Sequence, residues 1–383
     1  MKIVFNRKML CNAFPPLMCA VSTKSTLSAI EGVLIEAKEN GSCMMTTYDT
    51  EKGIQLSVEA KVYSAGSCII NAQKFSQVIR VMDGEEIELT VDEKMSAKIS
   101  CGKSSHRMSA LDAADFPTLP DIVRDRGFVI PQAMLKKTLS QITHSMGNDD
   151  TRQILNGCYM KVDEKSLTLV SCDSFKLAKC VKNIALENKS EAGRQLNYTF
   201  IIPAKTINEL MKLLDDGEEQ MATIFVTRKF IVFIIEGITF FSRLVDGEYI
   251  DYNRIIIKDH KITAELDRTA LISALERAAL VTEERIAGSV RSHVKLEFVG
   301  GLLKISSSSS AGSTYDELPI LHEGDDILIA FNNRYLIDSV RACDGDRIRL
   351  SLSSPLTSMN IEPITQPENT EEIFMLLPVR MKE

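Results

Sequence analysis

Hydrophobic and polar positions follow the same order three times along the chain. The segment 200–217 begins with an apolar run, which is followed by a short break, an amphipathic stretch and an Asp-Gly turn. The same order recurs at 68–86 and 327–346. The copies lie roughly 130 residues apart, a spacing that indicates one structural unit used three times. Each copy predicts a strand that leads directly into a helix.

Each unit also opens with a predicted strand and a first helix. Leu135, Leu139 and Ile142 recur at intervals of three and four residues, as on the buried face of an amphipathic helix. Alternating apolar and polar positions then predict a hairpin in every unit, at 32–50, 157–174 and 293–310. The first helices are predicted over Arg7–Cys19, Gln132–Met146 and Arg268–Val281.

These patterns predict an α+β fold of three repeated domains, each with two helices laid on one face of antiparallel sheet. The predicted domains are 1–125, 126–258 and 259–383. A length of 383 residues is also too great for one ordinary core. We therefore look for function on a surface that three similar units build together, and not only in a single pocket.

The composition is that of a soluble globular protein, with 44% hydrophobic and 25% charged residues. The nine cysteines form no Cys-x-x-Cys pair, which favours buried reduced thiols in a cytosolic protein over a zinc site or a disulfide framework. Lys2, Arg7 and Lys8 precede an apolar patch that could be mistaken for a secretory signal, but Pro15 and Pro16 interrupt it. We expect a cytoplasmic protein without a membrane segment.

The net charge of −7 argues against simple tight binding to a phosphate backbone. Cations nevertheless recur on the second helices, where Lys205 and Lys212, like Arg334 and Arg341, lie seven residues apart on one face. Either these faces follow duplex DNA without reading its sequence, or the cations merely solvate exposed helices. No aromatic residues interleave them, which disfavours stacking on single-stranded bases.

The sequence carries no motif for covalent chemistry. Gly102-Lys103-Ser104 lacks the first glycine of a phosphate-binding loop, and the five histidines have no metal-ligand spacing. Asp149-Asp150 could in principle hold a divalent cation, but a polar loop or helix start explains the pair more simply. We expect no catalytic residue, no metal and no cofactor.

Four separated segments, in this order, resemble the bacterial DNA polymerase III beta subunit family, the sliding clamps. They are ALDAADFPTLP at 110–120, Arg152 with LNG at 155–157, LVDGEYIDY at 244–252 and MLLPVRM at 375–381. The resemblance covers the whole chain. It implies a non-enzymatic homodimer, closed head to tail into a ring around duplex DNA, that gives a polymerase processivity. The partners it implies are the replicative polymerase alpha subunit, the clamp loader and other proteins that carry a clamp-binding motif.

The resemblance also implies a peptide groove between the second and third domains. Ser174-Phe175-Lys176 stands where the family has a Gly-His-Arg pattern, and Ile250 stands where it has a proline. An apolar trough with cationic rims would suit a short linear peptide with a glutamine and a bulky aliphatic-aromatic end. The implied residues are Cys172, Ser174, Phe175, Lys176, Leu177, Ile250, Arg254, Ile255, Ser358, Met375, Leu376, Leu377, Pro378, Val379, Arg380 and Met381.

DNA contacts and a dimer interface follow from the same resemblance. The DNA-contacting positions that carry over are Lys24, Arg152, Lys205 and Lys212, and the helix pattern adds Arg334 and Arg341. After Arg152 the chain has Gln153-Ile154, where well-studied members have a tyrosine pair. Leu280 and Val281 are expected to face the region of His106 across the dimer interface. A nuclease and a protein scaffold that binds no DNA are the alternatives.

Overall fold

The computed structural model describes residues 1–22, 25–39, 41–147, 149–191, 194–282, 293–309 and 312–381. The first repeat contains two helices and eight strands. They are α1 Arg7–Met18, α2 Ala72–Val81, β1 Lys2–Asn6, β2 Gly32–Ala37, β3 Ser42–Tyr48, β4 Lys52–Ser64, β5 Gly66–Asn71, β6 Glu86–Val91, β7 Ser96–Cys101 and β8 Ser104–Leu111. No helix in these described ranges is long and apolar enough to cross a membrane.

The second repeat has the same order with one additional short strand. It comprises α3 Gln132–Ile142, α4 Ala204–Leu213, β9 Gly127–Pro131, β10 Gly157–Asp163, β11 Leu167–Cys172, β12 Lys176–Lys182, β13 Glu187–Asn188, β14 Asn197–Pro203, β15 Met221–Val226, β16 Phe230–Ile235 and β17 Ile238–Arg243.

The third repeat follows the short connecting helix α5, Tyr252–Ile255. It comprises α6 Arg268–Thr282, α7 Asn333–Ala342, β18 Ile262–Asp267, β19 His293–Val299, β20 Leu302–Ser309, β21 Gly312–Pro319, β22 Leu321–Glu323, β23 Ile327–Asn332, β24 Arg347–Leu352, β25 Met359–Pro363 and β26 Thr370–Leu376. The predicted α+β fold and the three predicted hairpins are confirmed.

An asparagine at the end of a strand begins a helix at three places in the described chain. The Oδ1 atoms of Asn6, Asn71 and Asn332 accept hydrogen bonds from backbone N–H groups three residues later, at 3.1, 3.0 and 3.2 Å. Each side chain satisfies a donor that the first helical turn leaves unpaired. The strand therefore turns into α1, α2 or α7 without an intervening loop.

The first helix of the second repeat, α3, is shorter than predicted. It begins at Gln132 as expected but ends at Ile142, and a 3-10 turn covers Thr143–Ser145. The hydroxyl of Ser171 donates to the carbonyl of Ile142, the acceptor that a continuing α-helix would use for the N–H of Met146. Competition from β11 thus stops the helix one turn early.

The described residues fall into two compact units. The first contains Met1–Ala133, Glu187–Arg194 and Asn208–Leu244, and the second contains Met134–Leu186, Gln195–Ile207 and Val245–Glu383. Both units take strands from the second repeat, because its sheets continue those of its neighbours. In the first unit β17 pairs with β4, and in the second β12 pairs with β26, both antiparallel.

The first unit has one thirteen-stranded antiparallel sheet, in the order β1-β6-β7-β8-β5-β2-β3-β4-β17-β16-β15-β9-β13. Its helices α1 and α2 meet through Phe14 and Phe75, whose ring centroids lie 5.4 Å apart in an edge-to-face arrangement. Gly53 allows β4 to approach β17, because a Cβ atom there would lie 2.2 Å from the ring of Phe241.

The second unit has a nine-stranded sheet, in the order β14-β10-β11-β12-β26-β25-β24-β18-β22, and a four-stranded sheet, β21-β20-β19-β23. Its helices α6 and α7 are joined by a hydrogen bond of 2.9 Å from Asn333 Nδ2 to the carbonyl of Leu275. The predicted groove residues lie on the nine-stranded sheet and on the segments that follow its strands.

Candidate functional site

The inner wall of the predicted groove is a buried apolar cluster at the ends of β11, β12 and β26. Leu177 pairs with Met375 across β12 and β26, and both side chains pack with Cys172 and Leu155. Ile250 packs on this cluster from the chain segment before α5. Leu376 and Ser358 are buried as well. These residues therefore shape the groove from beneath, and few of their atoms reach its surface.

The exposed part of the groove is an apolar surface formed by the hairpin turn after β11 and the segment after β26. Phe175 is 55% exposed and Leu377 is 41% exposed. The N–H of Leu377 donates to the carbonyl of Phe175 at 2.9 Å, and the N–H of Val379 donates to that of Ala330 at 2.8 Å. The ring of Phe175 lies 6.1 Å from that of Tyr335 on α7. Pro378, Arg380 and Met381 continue this segment at or near the surface.

Lys176 does not provide the cationic rim that the sequence suggests. The residue is only 7% exposed. Its ammonium group donates to the carbonyl of His144, lies 3.4 Å from Asp173 Oδ2 and sits 4.2 Å from the ring centroid of Tyr335. The strand places this side chain under the surface, on the opposite side from Phe175. The accessible surface here is therefore formed by the rings of Phe175 and Tyr335, and not by the ammonium group of Lys176.

The connector that carries Ile250 also places Arg254 and Ile255 at the surface. Arg254 forms an ion pair with Asp251 at 3.0 Å, within the short helix α5. The guanidinium remains largely exposed, so it is the accessible cation among the predicted groove residues on this connector. Ile255 presents an apolar side chain beside it.

Three tyrosines that the sequence analysis did not single out support this connector. Tyr159 on β10 stacks on Tyr249, with ring centroids 5.2 Å apart, and lies 5.9 Å from Tyr252. All three rings pack on the buried groove cluster. The only sequence signal for them is that two belong to the LVDGEYIDY segment.

Arg152, predicted to contact DNA, is hydrogen-bonded to a predicted groove residue. Its Nη2 donates to Ser174 Oγ at 2.9 Å, and its Nε lies 3.3 Å from Asp150 Oδ1. Hydrogen bonds from Arg152 hold the pKa of Asp150 below its ordinary value. Asp150 is thus the counter-ion of Arg152, in agreement with the polar-loop interpretation of Asp149-Asp150.

The cations of the second helices occupy corresponding positions. Arg80, Lys212 and Arg341 each stand ninth in a helix of ten residues and are exposed. Lys212 pairs with Glu209 at 2.7 Å, and Arg341 contacts Glu276. Lys205 and Arg334 each stand second in their helices, and neither has an ion pair recorded within the described ranges. Lys24 lies outside the described residues.

Two strand edges and one exposed leucine bear on the predicted dimer interface. Leu280 near the end of α6 is 84% exposed, and Val281 follows it. His106 is exposed on β8, whose residues 104–109 pair with β7 on one side and with no described strand on the other. The strand β21 likewise pairs with β20 alone among the described strands.

Within the described ranges, no group of three or more His, Cys, Asp or Glu side chains is placed to hold a metal ion. The nine cysteines are free thiols, seven of them buried. Burial raises the pKa of several, for example that of Cys43 to about 12, which keeps these thiols protonated and unreactive.

Comparison with known proteins places this geometry in one family. Three family models match in chain order: the DNA polymerase III beta subunit N-terminal domain at residues 1–120, its central domain at 129–251 and its C-terminal domain at 253–378. The beta sliding clamp of Staphylococcus epidermidis is 27% identical over 390 residues, covering 99% of each chain. That of Staphylococcus aureus is 27% identical over 371 residues, covering 94% of each.

Solved structures agree with these matches. The DNA polymerase sliding clamp of Bacillus subtilis superposes with a TM-score of 0.90 at 26% identity, with full coverage of both chains. A DNA polymerase III beta subunit from Eubacterium rectale gives a TM-score of 0.91 at 23% identity, again with full coverage, which supports the fold. The three matched domains, together spanning nearly the whole chain, show that this protein belongs to the DNA polymerase III beta subunit family, the bacterial sliding clamps.

Proposed function

We propose that two copies of this chain close head to tail into a ring around duplex DNA. The unpaired edge of β8 in one copy would meet the unpaired edge of β21 in the other, extending both sheets across the interface. Leu280 and Val281 would be covered by the region of His106. Closure of this kind buries two strand edges that would otherwise invite non-specific pairing.

The observation that carries the DNA-encircling role is the repeated placement of exposed cations on the second helices. A ring holds DNA by topology, so its lining needs only weak, sequence-independent contacts with phosphates. Arg80, Lys212 and Arg341 provide one such cation in each repeat, and Lys205 and Arg334 add two more. This reconciles a basic helical surface with a net charge of −7. Lys24 and Arg152 remain further candidates for DNA contact.

The decisive experiment is retention on DNA of different topology. Clamps loaded on nicked circular DNA should stay bound through gel filtration at about 0.2 M salt, a concentration that weakens phosphate contacts. Linearising the DNA should release them, because the ring can slide off the ends. Equal retention on both forms, or a protein that remains monomeric at micromolar concentration, would contradict the ring.

The lining is tested by charge reversal. The variant that replaces Lys205, Lys212, Arg334 and Arg341 by Glu should lose most of the processivity that the clamp gives its polymerase on primed template, while it still binds clamp-motif peptides. If neither property changes, the helical cations merely solvate the surface. Magnesium-dependent cleavage of DNA by the wild type or by the variant would support the nuclease alternative.

We further propose that the surface around Phe175 and Leu377 docks short linear peptides of the replicative polymerase alpha subunit, the clamp loader and other clamp-motif proteins. The support is the exposed apolar surface beside a rigid buried wall, the arrangement that takes anchoring side chains of a peptide. Because Lys176 is turned inward, we expect peptides with a large apolar or aromatic end to bind better than acidic ones.

Truncation of Phe175 tests this groove. Phe175→Ala should weaken binding of a glutamine-containing clamp-motif peptide by about tenfold or more, as expected for an aromatic contact at the centre of an interface. Leu356→Ala, at another exposed leucine, should leave the affinity unchanged. The measurement is fluorescence anisotropy with a labelled peptide. Equal affinities of wild type and Phe175→Ala would show that Phe175 does not contribute to peptide binding.

The protein has no catalytic role in this activity, since the relatives are clamps and the reaction belongs to the polymerase. Its mechanism is effective concentration: a polymerase tethered to the ring rebinds the primer end faster than it diffuses away. We propose a cytoplasmic location, and domain boundaries at 1–125, 126–258 and 259–383.

A further inference from the structure

Arg152 lies between the start of helix α4 and the turn that carries Phe175. Its side chain is 54% exposed. In the same loop, the carbonyl of Asn156 accepts a hydrogen bond of 2.9 Å from the N–H of Ala204, the first residue of α4. Lys205, the next residue, is one of the exposed cations of the second helices. The loop of Arg152 is therefore fastened to the proposed DNA-facing surface at one side and to the proposed groove at the other.

The hydrogen bonds of Arg152 engage both donor forks of its guanidinium. Nε lies 3.3 Å from Asp150 Oδ1 and Nη2 lies 3.4 Å from Asp150 Oδ2, so the carboxylate occupies the fork of these two nitrogens. Nη2 also donates to Ser174 Oγ at 2.9 Å. The other fork consists of Nη1 and Nη2, so Ser174 takes one of its two donors. A phosphate that binds this fork with two oxygens must therefore displace the Ser174 hydroxyl.

Ser174, which stands where the family pattern has a glycine, is fastened from outside the turn between β11 and β12. Within the turn, Asp173 Oδ1 accepts hydrogen bonds of 2.7 Å from the N–H groups of Phe175 and Lys176. Loss of the bond to Arg152 would leave the turn with more conformations. A peptide would then have to order the turn on binding, which lowers its affinity. We therefore expect Phe175 to be presented best while Arg152 holds Ser174.

We propose that Ser174 and a DNA phosphate compete for the guanidinium of Arg152, so that duplex DNA and a peptide in the groove bind antagonistically. The inference rests on the proposed function, which supplies both ligands. A phosphate is the stronger partner for the cation, because it is charged and a hydroxyl is neutral. By linkage, each ligand lowers the affinity of the other by the same factor. Because Asp173 still holds the turn, we expect a factor of about five, at the low end of couplings between sites.

The test measures, by fluorescence anisotropy, the affinity of a labelled clamp-motif peptide without charged side chains for the free protein and for clamps loaded on nicked circular DNA. Wild type should bind about fivefold more weakly on DNA. Ser174→Ala should bind close to the weaker affinity in both states, because its turn has already lost the bond. The charge of the DNA acts equally on both proteins, so their difference isolates the hydrogen bond. Ser166→Ala, in the turn at the other end of β11, should behave as wild type.

Two further variants separate this contact from a general effect of substitution. Ser174→Thr keeps the hydroxyl and should keep the dependence on DNA. Arg152→Lys has no donor fork and should bind peptide equally on and off DNA. Equal affinity of wild type in both states, or a DNA effect that persists in Ser174→Ala, would overturn the inference. A free protein that binds no peptide, or a wild-type clamp that circular DNA does not retain, would instead contradict the proposed function, and this inference with it.

Discussion

At the residue scale, the inward turn of Lys176 removes a charge from the surface of the predicted groove. Its ammonium group contacts the carbonyl of His144, Asp173 and the face of Tyr335. Its charge is therefore compensated by buried partners and does not reach the surface. His144 in turn lies 3.4 Å from Ser339 on α7 and packs against Phe374 on β26. One buried imidazole therefore supports the helix and the two strands that carry residues of the predicted groove.

The same imidazole makes stability depend on pH. Burial, helped by the charge of Lys176, lowers the pKa of His144 from 6.5 to about 4. Because the folded state resists protonation more than the unfolded state, no stability is lost above about pH 6.5, and the loss grows as the pH falls towards 4. At pH 5 this group alone should cost about 2 kcal/mol relative to pH 7.5.

Urea unfolding of wild type and His144→Asn at pH 7.5 and pH 5 measures this cost. Wild type should be the more stable at pH 7.5, and its advantage should shrink by about 2 kcal/mol at pH 5, since asparagine does not titrate. An advantage that is the same at both pH values would show that His144 is protonated equally in the folded and unfolded states.

At the element scale, the joints between repeats are strand pairs and not loops. The β4 to β17 joint depends on Gly53, whose missing side chain leaves room for the ring of Phe241. The β12 to β26 joint depends on Glu372, which accepts hydrogen bonds from Gln141 on α3 at 2.8 Å and from the N–H of Asp344 after α7 at 3.0 Å. That carboxylate fastens three elements of the second unit together.

Adding one methyl group at the first joint should loosen it. Gly53→Ala forces the Cβ atom against the Phe241 ring, which is itself buried in an apolar cluster, and should cost about 1–3 kcal/mol of unfolding free energy. Gly301→Ala, where the nearest atom would be 3.8 Å away, should cost much less. Denaturant midpoints give both values.

Relief of the clash provides the control. Combining Gly53→Ala with Phe241→Leu should recover part of the stability lost in the single variant, because the smaller side chain leaves space for the methyl group. Strictly additive losses would mean that the joint does not depend on this close approach.

At the scale of the whole molecule, an exposed leucine is the sharpest test of assembly. Leu280→Glu should raise the dimer dissociation constant at least about tenfold, because it places a charge in the proposed interface. Leu356→Glu, at another exposed leucine, should leave the constant unchanged. Sedimentation equilibrium measures both. A normal dimer in the Leu280→Glu variant would place the interface elsewhere.

The sequence predicted the repeated plan because its signals are local. Leu135, Leu139 and Ile142 reveal their helix by spacing alone, and the starts of the first helices were predicted correctly. The direction of Lys176 was not predictable, because it depends on which strand face is covered by α7. The contacts of Tyr159 with Tyr249 and of Gln141 with Glu372 join residues far apart in sequence, so no local sequence pattern predicts them.

The continuous sheets have a consequence for how the chain can be divided. A repeat expressed alone would expose a long strand edge where β4 or β12 normally has its partner, and such edges recruit other chains into aggregates. After a protease nick in a surface loop, the backbone hydrogen bonds between paired strands would still hold the fragments together. Truncation at a repeat boundary, although it looks natural in the sequence, should therefore yield insoluble protein, whereas a nicked chain should stay assembled.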